Sequence, residues 1–287
     1  MEKIPIRHIA AAQKEPNFFE SFSIRDMGDL LAGKNMVQEL HRHDFFYILA
    51  LKKGSGNHDI DFTPYIIYDH AVFFMRPGQV HQLRLKAGSM GYLMQFKKEF
   101  YFHHDKASKQ LLRKVSNMNF YQLDTGRFGK LFSLLTYIFH EYTDKKEGCQ
   151  EVIKANLQIF FIELVRQSST SAGPPNNISP YIQERLEEFL ELLETHISDN
   201  KQVSQYAGML NLSIYQLNAI TKTTLGKTCS DLINEYILLE SKRQLLATSN
   251  QVNQIADHLG YEDVSYFIRF FKKHTGYSPE SFRHNFR

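Results

Sequence analysis

Nothing in this chain of 287 residues is apolar for long. The longest runs, Phe45 to Leu51 and Ala71 to Met75, fall far short of the roughly 20 residues that cross a bilayer. Membrane-spanning segments are therefore excluded from the reading, and no membrane partner is expected. The opening MEKIPIRHIAAAQKEP returns to charge at Arg7 and Lys14 before an apolar core can form, so it lacks the pattern of a signal peptide. A cytoplasmic protein is expected. Cysteine is scarce: Cys149 and Cys229 lie in different halves and share no metal-type spacing, which excludes a disulfide framework and a thiolate metal site. Charge of one sign is lacking too, with 34 Lys and Arg against 31 Asp and Glu. Bulk charge thus says nothing of a nucleic-acid partner. No Ser/His/Asp triad, phosphate-cradling glycine loop or pair of catalytic carboxylates is evident. No catalytic residue, no cofactor and no enzyme activity are assigned.

What is present has two halves, as the length allows. Residues 168–180, SSTSAGPPNNISP, are small, polar and proline-rich without periodicity, which is the composition of a linker. Before it, Phe22 to Phe102 is rich in aromatic and β-branched residues and is punctuated by Gly54-Ser-Gly56, Pro77-Gly78 and Gly88-Ser89. Short strands at that spacing predict a β-sandwich or barrel. Two helices follow, about Arg127 to Thr143 and Glu151 to Gln167. In the second, Ile153, Leu157, Phe160, Phe161, Leu164 and Val165 form a stripe while Ile159 and Ile162 lie off it. A helix apolar on so many sides needs two partner surfaces, and the second is read as another copy of the chain, giving a homodimer. The predicted organisation is a sensor and dimerisation domain over 1–167, a linker over 168–180 and an all-α domain over 181–287. The fold class is α+β.

The second half repeats itself. Val203, Tyr206, Ala207 and Leu210 stand at i, i+3, i+4 and i+7, and Val252, Ile255, Ala256 and Leu259 do the same 49 positions later. Gln205 matches Gln254. Each run ends on a residue that tolerates the left-handed backbone of a tight turn, Asn211 and Gly260. A second helix then starts, from Ser213 with Gln216 as a capping box in one copy and from Asp263 as N-cap in the other. Its apolar face resumes at Leu217 and Ile220, matched 50 positions on by Phe267 and Phe270, so the second turn is one residue longer. Lys222 pairs with Lys272 and Gly226 with Gly276. Helix, tight turn, helix, twice over, is the pattern of two helix-turn-helix units, whose second helix enters the major groove of double-stranded DNA. Between them Thr228 to Thr248 reads as one amphipathic helix with Leu232, Tyr236, Leu239 and Leu246 on its apolar side.

Asn253 to Arg283, NQIADHLGYEDVSYFIRFFKKHTGYSPESFR, resembles the signature of the AraC/XylS family of bacterial regulators: Ile-Ala, Leu-Gly-Tyr, Ser-Tyr-Phe, Arg-x-Phe-Lys-Lys, Thr-Gly, and Ser-Pro before the last helix. The resemblance is strong from Val203 onward and looser through a cupin-like β-barrel before the linker. It departs from the family in the first unit, where Ala219 and Thr221 stand at positions often basic or aromatic. It implies a sequence-specific transcription regulator controlled by a small-molecule effector, working with RNA polymerase if it activates. On the second unit the helix face opposite the phenylalanines offers Ser265, Tyr266, Arg269, Lys272 and Lys273. Arg269 suits guanine N7 and O6, whereas the lysines suit phosphates. On the first unit the free face is read as Tyr215, Gln216, Asn218, Ala219 and Lys222, where Asn or Gln suits adenine.

His41-Arg42-His43 is read as the start of a strand, with both imidazoles on one face beside Phe45 and Tyr47. Pro77-Gly78-Gln79-Val80-His81 supplies a third histidine. Cupin enzymes are similar here, with two histidines, a nearby Glu and a later His holding a divalent metal. The Glu is missing and Tyr47 stands near its place. The main reading makes His43, Tyr47, His81 and Leu83 the lining of an effector site with no metal. The alternative is a metal-dependent cupin enzyme fused to a DNA-binding tail, with His41, His43 and His81 as ligands.

Overall fold

The computed structural model describes residues 4–9, 21–101, 106–169 and 179–286. By its internal contacts the chain divides into two compact units, residues 5–175 and residues 176–287, the latter also taking in Ile4. That division falls inside the stretch expected to be a linker, of which residues 170–178 lie outside the described residues.

In chain order the first unit contains β1 (Ile6–Arg7), β2 (Phe22–Asp26), α1 (Met27–Leu31), β3 (Met36–His43), β4 (Phe46–Lys53), β5 (Gly56–Ile60), β6 (Thr63–Ile67), β7 (Ala71–Met75), β8 (Val80–Leu85), β9 (Met90–Phe96), α2 (Lys98–Tyr101), α3 (Lys106–Ser116), β10 (Phe120–Gln122), α4 (Thr125–Asp144) and α5 (Cys149–Ser169). The strands do not close into the expected barrel. They form two five-stranded sheets, β1-β3-β8-β5-β6 and β10-β7-β4-β9-β2, with no ladder joining one sheet to the other among the described residues.

The two longest apolar runs of the sequence are the central strands β4 and β7, and their composition follows from being covered on both sides. Side chains alternate across a strand. Tyr47, Leu49, Leu51, Ala71, Phe73 and Met75 accordingly pack between the sheets against Ile60, Ile67, Leu83 and Leu85. Ile48, Ala50, Val72 and Phe74 point the other way, into a second core with Leu131, Leu135, Ile138, Ile153, Leu157 and Phe161 of α4 and α5. Three layers result: sheet, sheet, helices. Ile159 of α5 stays 48 % exposed, on the side turned away from this core.

The second unit is helical: α6 (Pro180–His196), α7 (Val203–Met209), α8 (Ile214–Leu225), α9 (Cys229–Ala247), α10 (Val252–His258), α11 (Val264–Thr275) and α12 (Pro279–Phe286). The shared glutamines have a physical reason. Gln205 Oε1 accepts the main-chain N–H of Gln202 at 2.9 Å, and Gln254 Oε1 accepts that of Gln251 at 3.0 Å, so each caps the start of its helix. The turns close alike: Leu212 N–H donates to the Ala207 carbonyl and Tyr261 N–H to the Ala256 carbonyl, both at 2.9 Å. Asn211 (φ 53°) and Gly260 (φ 69°) supply the left-handed residue that this closure needs. The one-residue difference in turn length is present, since α8 begins five residues after Met209 and α11 six after His258.

Candidate DNA-reading faces and a buried histidine cluster

α8 and α11 are built alike from the inside out. Leu217, Ile220 and Thr221 are buried on α8, and Phe267 and Phe271 on α11, with Phe270 partly covered. What remains outward on α11 is Ser265, Tyr266, Arg269, Lys272 and Lys273, all exposed and spaced i, i+1, i+4, i+7, i+8. That spacing is one face of a helix. The same offsets on α8 give Tyr215, Gln216, Ala219, Lys222 and Thr223, each exposed. Tyr215 is 84 % exposed and Tyr266 59 %, unusual for aromatics with no surface to cover.

Two residues of the expected set behave differently from the rest. Asn218 is half-buried, its Nδ2 donating to the Ile214 carbonyl at 3.1 Å and its Oδ1 accepting the Cys229 N–H at 3.0 Å. Gln216 remains exposed but is shared with its cap, its Oε1 accepting the Ser213 N–H at 2.9 Å. Thr223 was not in the expected set, and its signal is its place 50 positions before Lys273. Asp263 caps α11 through the Ser265 N–H at 2.7 Å, and its other oxygen lies 3.8 Å from the Arg269 guanidinium. Both side chains of that pair are more than half exposed, so it holds the arginine only weakly.

In the first unit His41 and His43 end a strand rather than begin one. β3 stops at His43, the chain turns the corner at Asp44 and Phe45, and β4 continues in the other sheet, which is why Phe45 and Tyr47 still face the same interior. A β-bulge between Gln38 and His41 sets His41 opposite His81 on β8. A fourth histidine, His58 on β5, joins them because β5 pairs with the other edge of β8. Nothing in its sequence spacing marks it. All four are buried.

Nε2 of His81 is 2.8 Å from Nε2 of His43 and 3.0 Å from Nε2 of His41, while Nδ1 of His81 is 2.8 Å from Nε2 of His58. Nδ1 of His41 donates to the Glu39 carbonyl at 2.6 Å. Burial is the main cause that holds these rings neutral. It lowers His41 to about 4, partly offset by the Glu39 carbonyl, and it lowers His43 and His58 to about 3, helped by the nearby His41. His81 is lowered well below the ordinary imidazole range by burial and by the other three rings. Tyr47 stacks on His43 at 5.3 Å, and burial pushes its hydroxyl well up. The three ligand nitrogens of His41, His43 and His81 lie within 4.8 Å of one another, and among the described residues no carboxylate or thiolate belongs to this group. Leu83 is buried in the adjoining core. His43, Tyr47, His81 and Leu83 are thus brought together between the sheets, in close packing.

Comparison with known proteins agrees with both halves. Residues 34–158 match the AraC-like ligand binding domain and residues 206–285 match the helix-turn-helix domain. The HTH-type transcriptional activator RhaS of Enterobacter sp. (strain 638) is 23 % identical over 249 residues, covering 85 % of this chain and 86 % of that protein. RhaS of Escherichia fergusonii is 24 % identical over 249 residues with the same coverage. Among solved structures, the C-terminal domain of the response regulator yesN from Fusobacterium nucleatum is 29 % identical, covers 35 % of this chain and 98 % of that one, and has a TM-score of 0.33. ToxT of Vibrio cholerae bound to unsaturated fatty acid is 16 % identical, covers 94 % and 97 %, and has a TM-score of 0.40. At such TM-scores neither superposition carries weight. The two domain matches, in that order along one chain, leave a single description: this protein belongs to the AraC/XylS family of DNA-binding transcription regulators, with a ligand-binding domain ahead of its helix-turn-helix domain.

Proposed function

We propose that α8 and α11 read base edges in the major groove and that the chain activates transcription when an effector occupies its first unit. The observation that carries this is the twin outward face, Tyr215, Gln216, Ala219, Lys222 and Thr223 repeated 50 positions on as Ser265, Tyr266, Arg269, Lys272 and Lys273, on helices with equivalent caps and turns. Arg269 reads guanine; Lys222, Lys272 and Lys273 meet phosphates and fix the register. α8 offers only one cation, so its share of the readout falls to Gln216 and Tyr215. Asn218 is left out of it, because both ends of its amide are already engaged.

Activation, and with it contact to RNA polymerase, is supported by the naming of RhaS as an activator. The effector is a small molecule admitted between the sheets beside His43, Tyr47, His81 and Leu83, which requires the sheets to part because all four are buried. Dimerisation uses the outer side of α4 and α5. The sensor and dimerisation part is 1–167, the linker 168–180 and the reader 181–287; the protein acts in the cytoplasm and carries no enzyme activity.

The test is nuclease footprinting by the full chain on the intergenic DNA beside its own gene. Two protected blocks are expected, one for each reading helix. A fragment starting near Ile178 should protect the same blocks, because both reading helices and their caps lie within it. A fragment that is helical by circular dichroism yet protects nothing would sink the reading of a self-sufficient reader.

A further inference from the structure

The buried histidines have too few protons for the contacts they make. A neutral imidazole carries one N–H and one lone pair. His41 uses its N–H on the Glu39 carbonyl, so its Nε2 is a bare lone pair. Nε2 of His81 can bond to it only by carrying a proton, and that one proton also faces Nε2 of His43. Nδ1 of His81 must then accept from His58, which leaves Nδ1 of His58 buried with no partner. The Tyr47 hydroxyl, in the same cluster, is likewise buried and unpartnered. Hydrogen bonding among these rings therefore cannot satisfy the cluster.

The rings are nevertheless held in one orientation. Two of the three turn Nδ1 outward to a fixed neighbour, His41 to the Glu39 carbonyl and His81 to His58, while Nδ1 of His43 is buried with no hydrogen-bond partner. Nε2 of His41 and Nε2 of His43 both turn to Nε2 of His81. An outer partner on one nitrogen, as His41 and His81 have, is what fixes the other nitrogen as a metal ligand.

We propose that His41, His43 and His81 bind one divalent transition-metal ion of the Zn²⁺ class through their Nε2 atoms, with His58 as the positioning residue that orients His81. Tetrahedral Zn–N bonds of about 2.0–2.1 Å set neighbouring ligand atoms roughly 3.3 Å apart, so the 2.8 and 3.0 Å contacts of His81 need to open by a few tenths of an ångström, while His41 and His43, which lie within 4.8 Å of each other, need to draw together. The ligands sit on two hydrogen-bonded strands, with His41 and His81 directly opposite, which makes the site rigid. Imidazole nitrogens without thiolate or carboxylate suit Zn²⁺, Cu²⁺, Ni²⁺ or Co²⁺ rather than Mg²⁺ or Ca²⁺. Three protein ligands leave the fourth position open to water or to an oxygen of a small molecule. The site stands independently of the DNA-reading assignment.

The experiment uses the full chain purified without a histidine tag, stripped with chelator, dialysed against Zn²⁺ and analysed for metal, with Co²⁺ as a second probe read by its visible absorption. One zinc per chain and a visible Co²⁺ band are expected. His41→Gln and His81→Gln should lose both, whereas His140→Gln, at an exposed histidine of α4, should keep both. His58→Phe should keep the stoichiometry and bind about tenfold more weakly or worse. Zn²⁺ should also raise the melting temperature of the unaltered chain and leave that of His41→Gln unmoved. The proposal is overturned if the unaltered chain retains no zinc and shows no thermal shift. It is equally overturned if a His41→Gln chain with normal circular dichroism binds Zn²⁺ and Co²⁺ as the unaltered chain does. Footprinting of the same samples is a separate readout, so failure here leaves the regulator reading standing.

Discussion

Asn218 Oδ1 accepts the main-chain N–H of Cys229 at 3.0 Å, so a side chain in the middle of α8 caps the first turn of α9. The first N–H groups of a helix have no partner within it. An amide that sequence pattern places on a DNA-reading face is spent instead on joining two helices. Asn218→Ala should lower the stability of the second unit by about 1 kcal/mol. Base preference in a binding-site selection should stay as it is. Urea unfolding checks the first statement; relaxation at any base position in the selection would return Asn218 to the reading face.

The engagement of Asn218 with α9 shows where sequence reasoning reaches its limit. The repeat, its turns and the caps at Ser213 and Asp263 were legible because each depends on neighbours within a few positions: Ser213 with Gln216, Asn211 and Gly260 in their turns; Gln205 showed only as a match to Gln254, and its cap on Gln202 came from the structure. Asn218 depends on Cys229, 11 residues away across a turn, and no local pattern reports that. His58 is a similar case. Its relation to His81 exists only through the β5–β8 ladder, a pairing over 23 residues. The barrel expectation failed for the opposite reason, since alternation and turn spacing specify strands without specifying whether the sheet edges meet. The runs Phe45 to Leu51 and Ala71 to Met75 did hold the answer: strands apolar on both faces need two covering layers, and here those are a second sheet and a pair of helices.

Gly226 and Gly260 share a backbone, with φ of +69° in each, and differ in what surrounds them. A Cβ on Gly226 would meet nothing within 4 Å, whereas one on Gly260 would stand 1.8 Å from the Ser198 carbonyl oxygen. Gly226→Ala should therefore cost about 1 kcal/mol, the left-handed conformation alone. Gly260→Ala should cost clearly more, about 3 kcal/mol or above, because the α10–α11 turn must also move away from Ser198. Equal unfolding midpoints for the two variants would contradict this account.

Ile159 on α5 is 48 % exposed and Tyr137 on α4 49 %, both outside the core that the two helices share with the sheet. If that side carries the dimer contact, Ile159→Asp should convert the chain to a monomer at micromolar concentration, since a buried carboxylate without a partner is costly. The variant should remain folded, because its exposed side touches none of the unit's own core. Sedimentation equilibrium reads the outcome, and a dimer unaffected by Ile159→Asp places the contact elsewhere.

Arg269 stands two residues from each of the buried Phe267 and Phe271, which at about 100° per residue sets it on the far side of α11 from both. Its guanidinium lies 3.8 Å from Asp263, a mostly exposed pair that DNA can displace at little cost. Lys273 shares the outward face but lies one turn further along, toward the C-terminal end. Recognition helices contact base edges through their N-terminal residues. Arg269→Ala should therefore weaken binding to the selected site by about 1–3 kcal/mol and relax preference at one base position. Lys273→Ala should weaken binding evenly across sequences and reduce the slope of log affinity against log salt by about one. The two effects separate in one experiment, a selection followed by salt titration on the best site and on a scrambled one. An Arg269→Ala chain that loses salt slope as Lys273→Ala does, with its base preference intact, would make Arg269 a phosphate clamp and move the guanine contact to another residue of α11.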